Sequence, residues 1–265
     1  MAVHVYGNMC NVERIQKIAE KYGLKVIYDA CHAFGEELDG ISSASFGDVS
    51  CFSFHATKVF NTVEGGAVCY KDEDFGRELC RLKNFGIKNE EVVDGIGANA
   101  KMTEFAAAMG ICNLRYLEDE ILKRKKVSEK YNELLSDIPG IKIRKIPSNV
   151  KSNYAYYPIV IDEKVFGKTR NDVYATLVRE NIYPRKYFYP LTNTFECYHG
   201  KYDVSETPIA LSVSKRVLCV TRNYYVRPFI SDLCIILVSE IIWRSEQCVR
   251  YIRNAKMYLQ TSLIS

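Results

Sequence analysis

The sequence lacks the residue spacings from which metal sites in proteins are usually built. None of its ten cysteines stands in a CxxC spacing, and its four histidines include no pair four residues apart. Zinc sites draw on such groups of thiol and imidazole ligands, so we expect no metal site. The first residues also lack the basic and apolar segments of a secretory leader, so we expect free thiols in a reducing cytoplasm.

A strong charge of either sign and a long hydrophobic run are also missing. The chain has 36 basic and 32 acidic residues, for a formal net charge of +4. This near balance predicts no attraction strong enough for nucleic acid, and the basic run at 123–126 is expected to be a solvated helix face. The apolar run at 233–243 is interrupted by Ser239 and Glu240 and is too short to cross a bilayer, so we expect no membrane partner.

What the chain does contain is an apolar content of 48% over 265 residues, enough for one large core or two smaller ones. Residues 4–6 read as the end of a strand. A helix follows that Asn11 caps and Gly23 ends, and then comes an apolar strand at 24–28. Strand, helix and buried strand in this order predict a βαβ unit, and therefore an α/β fold with a parallel sheet.

The rest of the chain alternates between predicted helices and strands. The predicted strands lie at 50–54, 67–70, 141–146 and 156–161, and the predicted helices at 104–117, 121–135, 170–180 and from 231 onward. A loop rich in Tyr and Pro spans 183–191. The change in texture predicts a large domain at 1–118 and a smaller α+β domain at 119–265.

Two residues that could take part in catalysis or ligand binding follow neighbouring strands. Asp29 directly follows the apolar strand at 24–28, where α/β sheets bind ligands, although it is equally suited to cap the next element. Lys58 follows the next strand, and most lysines are simply solvated. Chemistry with pyridoxal phosphate (PLP) needs an amine, an anion beside the pyridine nitrogen, and donors for the phosphate. Asp29, Lys58 and Ser53 are of the right types, but their spacing alone does not decide the matter.

Four stretches make the hypothesis specific: VIYDACHAFG, FGDVSCFSFHATKVFNTVEGGAV, LKNFGI and GANAKMTEFAAAMG. They resemble the DegT/DnrJ/EryC1/StrS family of PLP-dependent nucleotide-sugar aminotransferases, a branch of fold-type I. The resemblance runs from residue 1 to about residue 190 and is strongest over 26–110. It implies an incomplete large domain of that fold followed by the smaller domain.

The resemblance also implies roles for individual residues. Asp29 is expected to pair with the pyridine nitrogen, and His32 to lie near the ring hydroxyl. Ser53 is expected to bind the phosphate, and Lys58 to be the Schiff-base lysine. Asn99, in the G-x-N motif, is expected to reach the cofactor phosphate of a partner subunit, which implies a homodimer with shared active sites.

The expected reaction follows from the same resemblance. Glutamate would donate its amino group, and a nucleotide-linked keto-sugar would receive it; the motifs look most like members that act on dTDP-4-keto-6-deoxyglucose. Arg185, Lys186 and Tyr187, in the stretch YPRKYFYPL, resemble the part of the small domain that lines the sugar pocket. An ordinary surface turn is an equally good interpretation of that loop.

The chain also departs from the family pattern. Full members begin with on the order of a hundred residues that have no counterpart here, about the size of a small domain. That segment holds a phosphate-binding turn and a ring-stacking aromatic residue, so we expect weak PLP binding. A silent fragment or one half of a split enzyme is therefore an alternative. A related sugar dehydratase carries His in place of the lysine, so Lys58 argues against that activity.

Overall fold

The computed structural model describes residues 1–220 of the chain. These residues divide into two compact units. The first comprises Met1–Lys125 together with Ile146–Ala155, and the second comprises Lys126–Lys145 and the chain from Tyr156 on. The predicted domain boundary at 118 stays a prediction. The predicted helix from 231 and the apolar run at 233–243 lie outside the described residues.

Seven α-helices and ten strands occur in the described residues. The helices are α1 (Val12–Tyr22), α2 (Glu73–Leu82), α3 (Glu104–Leu114), α4 (Leu117–Leu135), α5 (Glu163–Phe166), α6 (Arg170–Arg179) and α7 (Pro208–Arg216). The strands are β1 (Ala2–Val3), β2 (Ile27–Asp29), β3 (Glu37–Leu38), β4 (Ile41–Ser42), β5 (Val49–Ser53), β6 (Gly66–Tyr70), β7 (Ile141–Ile143), β8 (Val150–Lys151), β9 (Pro158–Ile161) and β10 (Val217–Cys219).

The main sheet of the first unit has the strand order β1-β2-β5-β6. The first three strands are parallel, as the βαβ pattern predicts, but β6 runs antiparallel to β5. The parallel arrangement predicted for the βαβ unit therefore does not extend to this edge strand. The reason lies in the connection: residues 54–65 form no helix, and a parallel crossover usually needs one.

Helix α1 shows how local sequence sets its bounds. The side chain of Asn11 accepts a hydrogen bond from the backbone N–H of Arg14, and Gly23 ends the helix in the left-handed conformation. The strand before the helix ends at Val3, not at residue 6 as predicted. The chain turns there because the ring of His4 is fully buried against Tyr28, at a centroid distance of 4.7 Å.

An aromatic cluster lies beneath the carboxyl ends of β2 and β5. The ring of Phe34 stacks on Phe60 at a centroid distance of 4.7 Å and meets the edges of Phe52 and Phe54. Ala30 and Ala33 complete this core, and their small size admits the rings. Four packed rings contribute strongly to stability, and they fix the two loops that leave these strands.

A second small sheet brings residues 146–155 into the first unit. Strand β3 pairs with β4 on one side and with β8 on the other, and both pairs are antiparallel. Residues far apart in sequence therefore meet here. This pairing places the segment 152–155 beside the loop that follows β2.

The second unit is built around an antiparallel sheet of strand order β10-β9-β7. Residues of α4, α6 and the sheet form one core, in which the side chains with 0% exposure are Tyr131, Leu135, Ile159, Leu177 and Leu218. Helix α6 begins with a capping box between Thr169 and Asp172. Within residues 1–220, no helix combines the length and the apolar content needed to cross a membrane.

Candidate active site

Asp29 and Lys58 lie at the ends of two adjacent parallel strands of the first unit. Asp29 is the last residue of β2, and Lys58 lies in the turn that follows β5, where its backbone N–H donates to the carbonyl of His55 at 2.9 Å. Both side chains are half-buried. The carboxyl ends of parallel strands are the usual place for ligands in α/β sheets.

The amine of Lys58 is electrostatically coupled to its surroundings. Burial lowers its pKa from the ordinary value, while Cys31 and the carboxylate of Asp29 act in the opposite direction. Asp29 is therefore close enough to Lys58 to influence its charge. A lysine with a lowered pKa is more readily the neutral amine that attacks a carbonyl carbon.

His32 belongs to the same group of side chains. Burial lowers its pKa to about 4, and the positive charge of Lys58 contributes to the shift, while Asp29 opposes it. The ring is therefore neutral at pH 7. Its Nδ1 accepts a hydrogen bond of 3.0 Å from the backbone N–H of Tyr6, so the proton of the neutral ring is on Nε2.

Cys31 is a member of the site that the sequence reasoning missed. Its backbone N–H donates to Oδ1 of Asp29 at 3.1 Å, which holds the carboxylate in place. Burial, together with Asp29, raises the pKa of its thiol to about 12. The thiol is therefore protonated and poorly nucleophilic at neutral pH. Its position inside the D-A-x-H motif was the feature of the sequence from which Cys31 could have been identified.

The loop 54–65 is closed by backbone hydrogen bonds at its base. The N–H of Phe54 donates to the carbonyl of Gly65 at 2.8 Å, and the N–H of Thr62 donates to the carbonyl of Phe54 at 2.9 Å. Ser53 stands at the entrance, where its hydroxyl accepts a hydrogen bond of 3.4 Å from the N–H of His55. Lys58 is thus carried by an ordered loop and not by a free surface turn.

Asn153 supports the site from a distant part of the sequence. Its side-chain amide is buried and donates to the carbonyls of His32 and Phe34, each at 2.9 Å. Its Oδ1 accepts a hydrogen bond of 2.8 Å from the N–H of Ala155. Nothing in the sequence indicated this role, because more than a hundred residues separate it from the loop that it holds.

Asn99 is not joined to this group. It is exposed, and its backbone forms an isolated bridge with Asn84. Across the part of the chain that the structure describes, no hydrogen bond links Asn99 to Asp29 or Lys58, and no group of acidic, His and Cys side chains could hold a metal ion. The site on one chain therefore consists of Asp29, Cys31, His32 and Lys58, with Ser53 at its entrance.

The other three predicted site residues lie in the second unit. Arg185 is exposed, and its backbone N–H and carbonyl pair with Cys219 of β10 at 2.9 and 2.8 Å. Lys186 is half-buried with its Nζ 4.2 Å from the ring centroid of Tyr174. The ring of Tyr187 stacks on Phe188 at a centroid distance of 5.0 Å.

Comparison with known proteins decides the family. The profile of the DegT/DnrJ/EryC1/StrS aminotransferase family matches residues 1–224. The chain belongs to this family. The resemblance inferred from the sequence motifs is thereby confirmed.

Individual family members are similar over most of this chain. A dTDP-4-amino-4,6-dideoxy-D-glucose transaminase from Shigella dysenteriae is 40% identical over 242 residues, which are 91% of this chain and 65% of that protein. A transaminase of the same name from Escherichia coli is 42% identical over 225 residues, 83% of this chain and 60% of that protein. This chain thus spans less than two thirds of the length of these relatives.

A solved structure extends the likeness to three dimensions. DesI, crystallised in the presence of its TDP-sugar product, superimposes with a TM-score of 0.82 at 32% identity, covering 94% of this chain and 64% of DesI. The predicted fold class, the α/β fold of the PLP-dependent sugar aminotransferases in this family, is confirmed.

Proposed function

We propose that this chain carries the PLP-holding residues of an aminotransferase that moves an amino group from glutamate to a nucleotide-linked keto-sugar. The observation that carries the proposal is Lys58, a half-buried amine whose pKa burial lowers, coupled to the carboxylate of Asp29. The names of the similar transaminases support dTDP-4-keto-6-deoxyglucose as the acceptor.

The chemistry of the side chains fits PLP. Asp29 would hold the proton on the pyridine nitrogen, since a carboxylate favours the charged ring. His32 presents a neutral ring with its proton on Nε2, a donor suited to the ring oxygen. The hydroxyl of Ser53 would bind the phosphate. When bound, PLP supplies an aldehyde and a ring that withdraws electrons from the carbon of the amino donor.

Lys58 has the central role in the reaction. Its Nζ would hold the cofactor between turnovers. When released, the amine would take a proton from the α-carbon of the amino donor and deliver a proton to the aldehyde carbon of the cofactor. A lowered pKa suits this work, because the neutral amine is the form that accepts a proton. Cys31 and Asn153 would hold Asp29 and His32 in place through the hydrogen bonds described above.

The loop 183–191 of the second unit would bind the nucleotide-sugar. Arg185 offers an exposed guanidinium, the group best suited to phosphate oxygens, and its backbone is fixed by the bridge to Cys219. Tyr187 offers a ring and a hydroxyl beside it. DesI was crystallised with a TDP-sugar, which supports a substrate of this class.

A homodimer is the proposed assembly. Helix α3 is apolar on nearly all sides, yet among its large side chains Phe105 is 90% exposed and Ile111 61% exposed. A helix of that kind is normally buried. A cavity of about 660 Å³ adjoins it, lined by residues 62–66, 100–103, 105, 106 and 109. In the proposed dimer, the exposed Asn99 would bind the cofactor phosphate of the partner subunit, as the family resemblance implies.

The cysteines support a cytoplasmic location. All eight cysteines in the described part of the chain are free thiols: Cys10, Cys31, Cys51, Cys69, Cys80, Cys112, Cys197 and Cys219. Proteins of oxidising compartments use such residues in disulfides.

Borohydride trapping of PLP tests the proposal directly. The chain is incubated with PLP, reduced and digested, and the pyridoxyl label is located by mass spectrometry. We expect the label on Lys58 in the wild type and in the control Lys101→Ala, and no label in Lys58→Ala. A label that persists in Lys58→Ala, or that lies on another lysine, would refute the assignment.

A further inference from the structure

Helix α6 contacts the loop 183–191 through two side chains that are one helical turn apart. Arg170 lies with its guanidinium carbon 4.9 Å from the ring centroid of Tyr189. Tyr174 receives Nζ of Lys186 at 4.2 Å from its own ring centroid. Residues four apart share one face of a helix, so both contacts form on the same face of α6. We call these two cation–π contacts, with their four side chains, the crossed pair, because helix and loop each supply one cation and one ring.

Arg170 is a rigid member of the crossed pair. It is 4% exposed, and its Nη1 donates to the carbonyls of Ser214 and Val217 at 3.2 and 3.1 Å. These carbonyls lie at the end of α7 and at the start of β10, where a helix leaves acceptors without partners. Its Nε donates to Asn171 at 3.0 Å. The guanidinium is therefore fixed by the core of the second unit and offers its face to Tyr189.

Lys186 is held less tightly but in a defined place. Its side chain is half-buried, and burial lowers its pKa, with a further decrease from the positive charge of Arg170. A lysine free to extend into water would avoid both effects. Its position on the ring of Tyr174 is consistent with an anchor, whereas its neighbour Arg185 is exposed.

We propose that Arg170 and Tyr174 are positioning residues for the loop 183–191, and that Lys186 is the loop's anchor and not a contact to the substrate. This inference rests on the proposed function in one respect: the loop that they position is the one proposed to bind the nucleotide-sugar. The crossed pair holds Arg185 and Tyr187 in place before the substrate arrives, so binding spends less free energy on ordering them.

Limited trypsin digestion tests the anchoring without any ligand. The loop contains two cleavage sites, after Arg185 and after Lys186, and Lys130 in α4 offers an internal reference in the same unit. Tyr174→Leu removes the ring but keeps an apolar side chain, and Tyr174→Phe keeps the ring. We expect Tyr174→Leu to raise cleavage in the loop about fivefold, the equivalent of one cation–π contact, and Tyr174→Phe to match the wild type.

Three results would overturn the inference. The first is a wild-type cleavage rate in Tyr174→Leu. The second is equal acceleration in Tyr174→Phe and Tyr174→Leu. The third is an equal rise after Lys130, because Tyr174 would then be a general core residue. ¹³C-methylation of the lysines adds a second readout: the ring of Tyr174 should shift the Lys186 methyl resonance, and Tyr174→Leu should abolish that shift.

A second arm separates this inference from the proposed function. dTDP is added to the digestion of the wild-type chain, where we expect it to slow cleavage after Arg185. If dTDP gives no protection while Tyr174→Leu still releases the loop, the anchoring stands and nucleotide-sugar binding by the loop fails. If dTDP protects while Tyr174→Leu leaves cleavage unchanged, the loop binds nucleotide and the anchoring is wrong.

Discussion

Replacing Asn153 by alanine should destabilise the first unit substantially. The side chain is 1% exposed and makes three hydrogen bonds, to the carbonyls of His32 and Phe34 and from the N–H of Ala155. At about 1 kcal/mol for each bond, the loss amounts to about 3 kcal/mol of unfolding free energy. For a chain of this size, that corresponds to a decrease in melting temperature of roughly 6 to 12 °C.

Asn149→Ala is the matched control for this experiment. Asn149 lies in the same segment, and its amide also bonds to another part of the first unit, Asp39 between β3 and β4, at 3.1 and 3.0 Å. This pair is exposed, so its loss should change the unfolding free energy by about 0.5 kcal/mol or less. Urea denaturation followed by circular dichroism measures both variants. If Asn153→Ala lowers the free energy of unfolding as little as Asn149→Ala does, burial does not make the Asn153 hydrogen bonds more important, and the prediction is refuted.

Three further predictions concern the loss of stability at acidic pH, the cap of helix α1 and the order of the loop 54–65. Burial lowers the pKa of His4 to about 4, so the folded chain does not bind a proton that the unfolded chain binds below about pH 6.5. The free energy of unfolding should therefore decrease as the pH falls from 6.5 to 4, and it should decrease less steeply in His4→Phe. Urea denaturation of both proteins at each pH measures this difference. Asn11→Ala should cost about 1 kcal/mol, seen as a lower urea midpoint, because the cap of α1 is lost. Asn113→Ala should raise amide hydrogen exchange in the loop 54–65, because its side chain donates to the carbonyl of Asn61 at 2.9 Å; unchanged exchange there would contradict the role of that bond.

Local signals in the sequence predicted what depends on a few neighbouring residues. Asn11 and Gly23 gave the bounds of α1, since a cap and a left-handed glycine act within one turn. Asp29 and Lys58 were assigned to the site from motifs, and this assignment stays a prediction; the structure places Asp29 at the end of β2 and Lys58 in the turn after β5. The role of Asn153 could not be predicted from the sequence, because its hydrogen-bond partners are set by the pairing of β3 with β8. The reversed direction of β6 also depends on a connection that contains no helix.

The path of the chain between its two units limits how genes of this kind can recombine. The chain crosses from one unit to the other after residues 125, 145 and 155. A single crossover between two parental genes therefore cannot exchange one unit intact: a chimaera joined at 125 would combine Asn153 from one parent with the His32 loop from the other. Because the acceptors are backbone carbonyls, a chimaera would lose these hydrogen bonds where the second parent lacks Asn at position 153. Exchanges bounded at 145 and 155 would test the short segment alone.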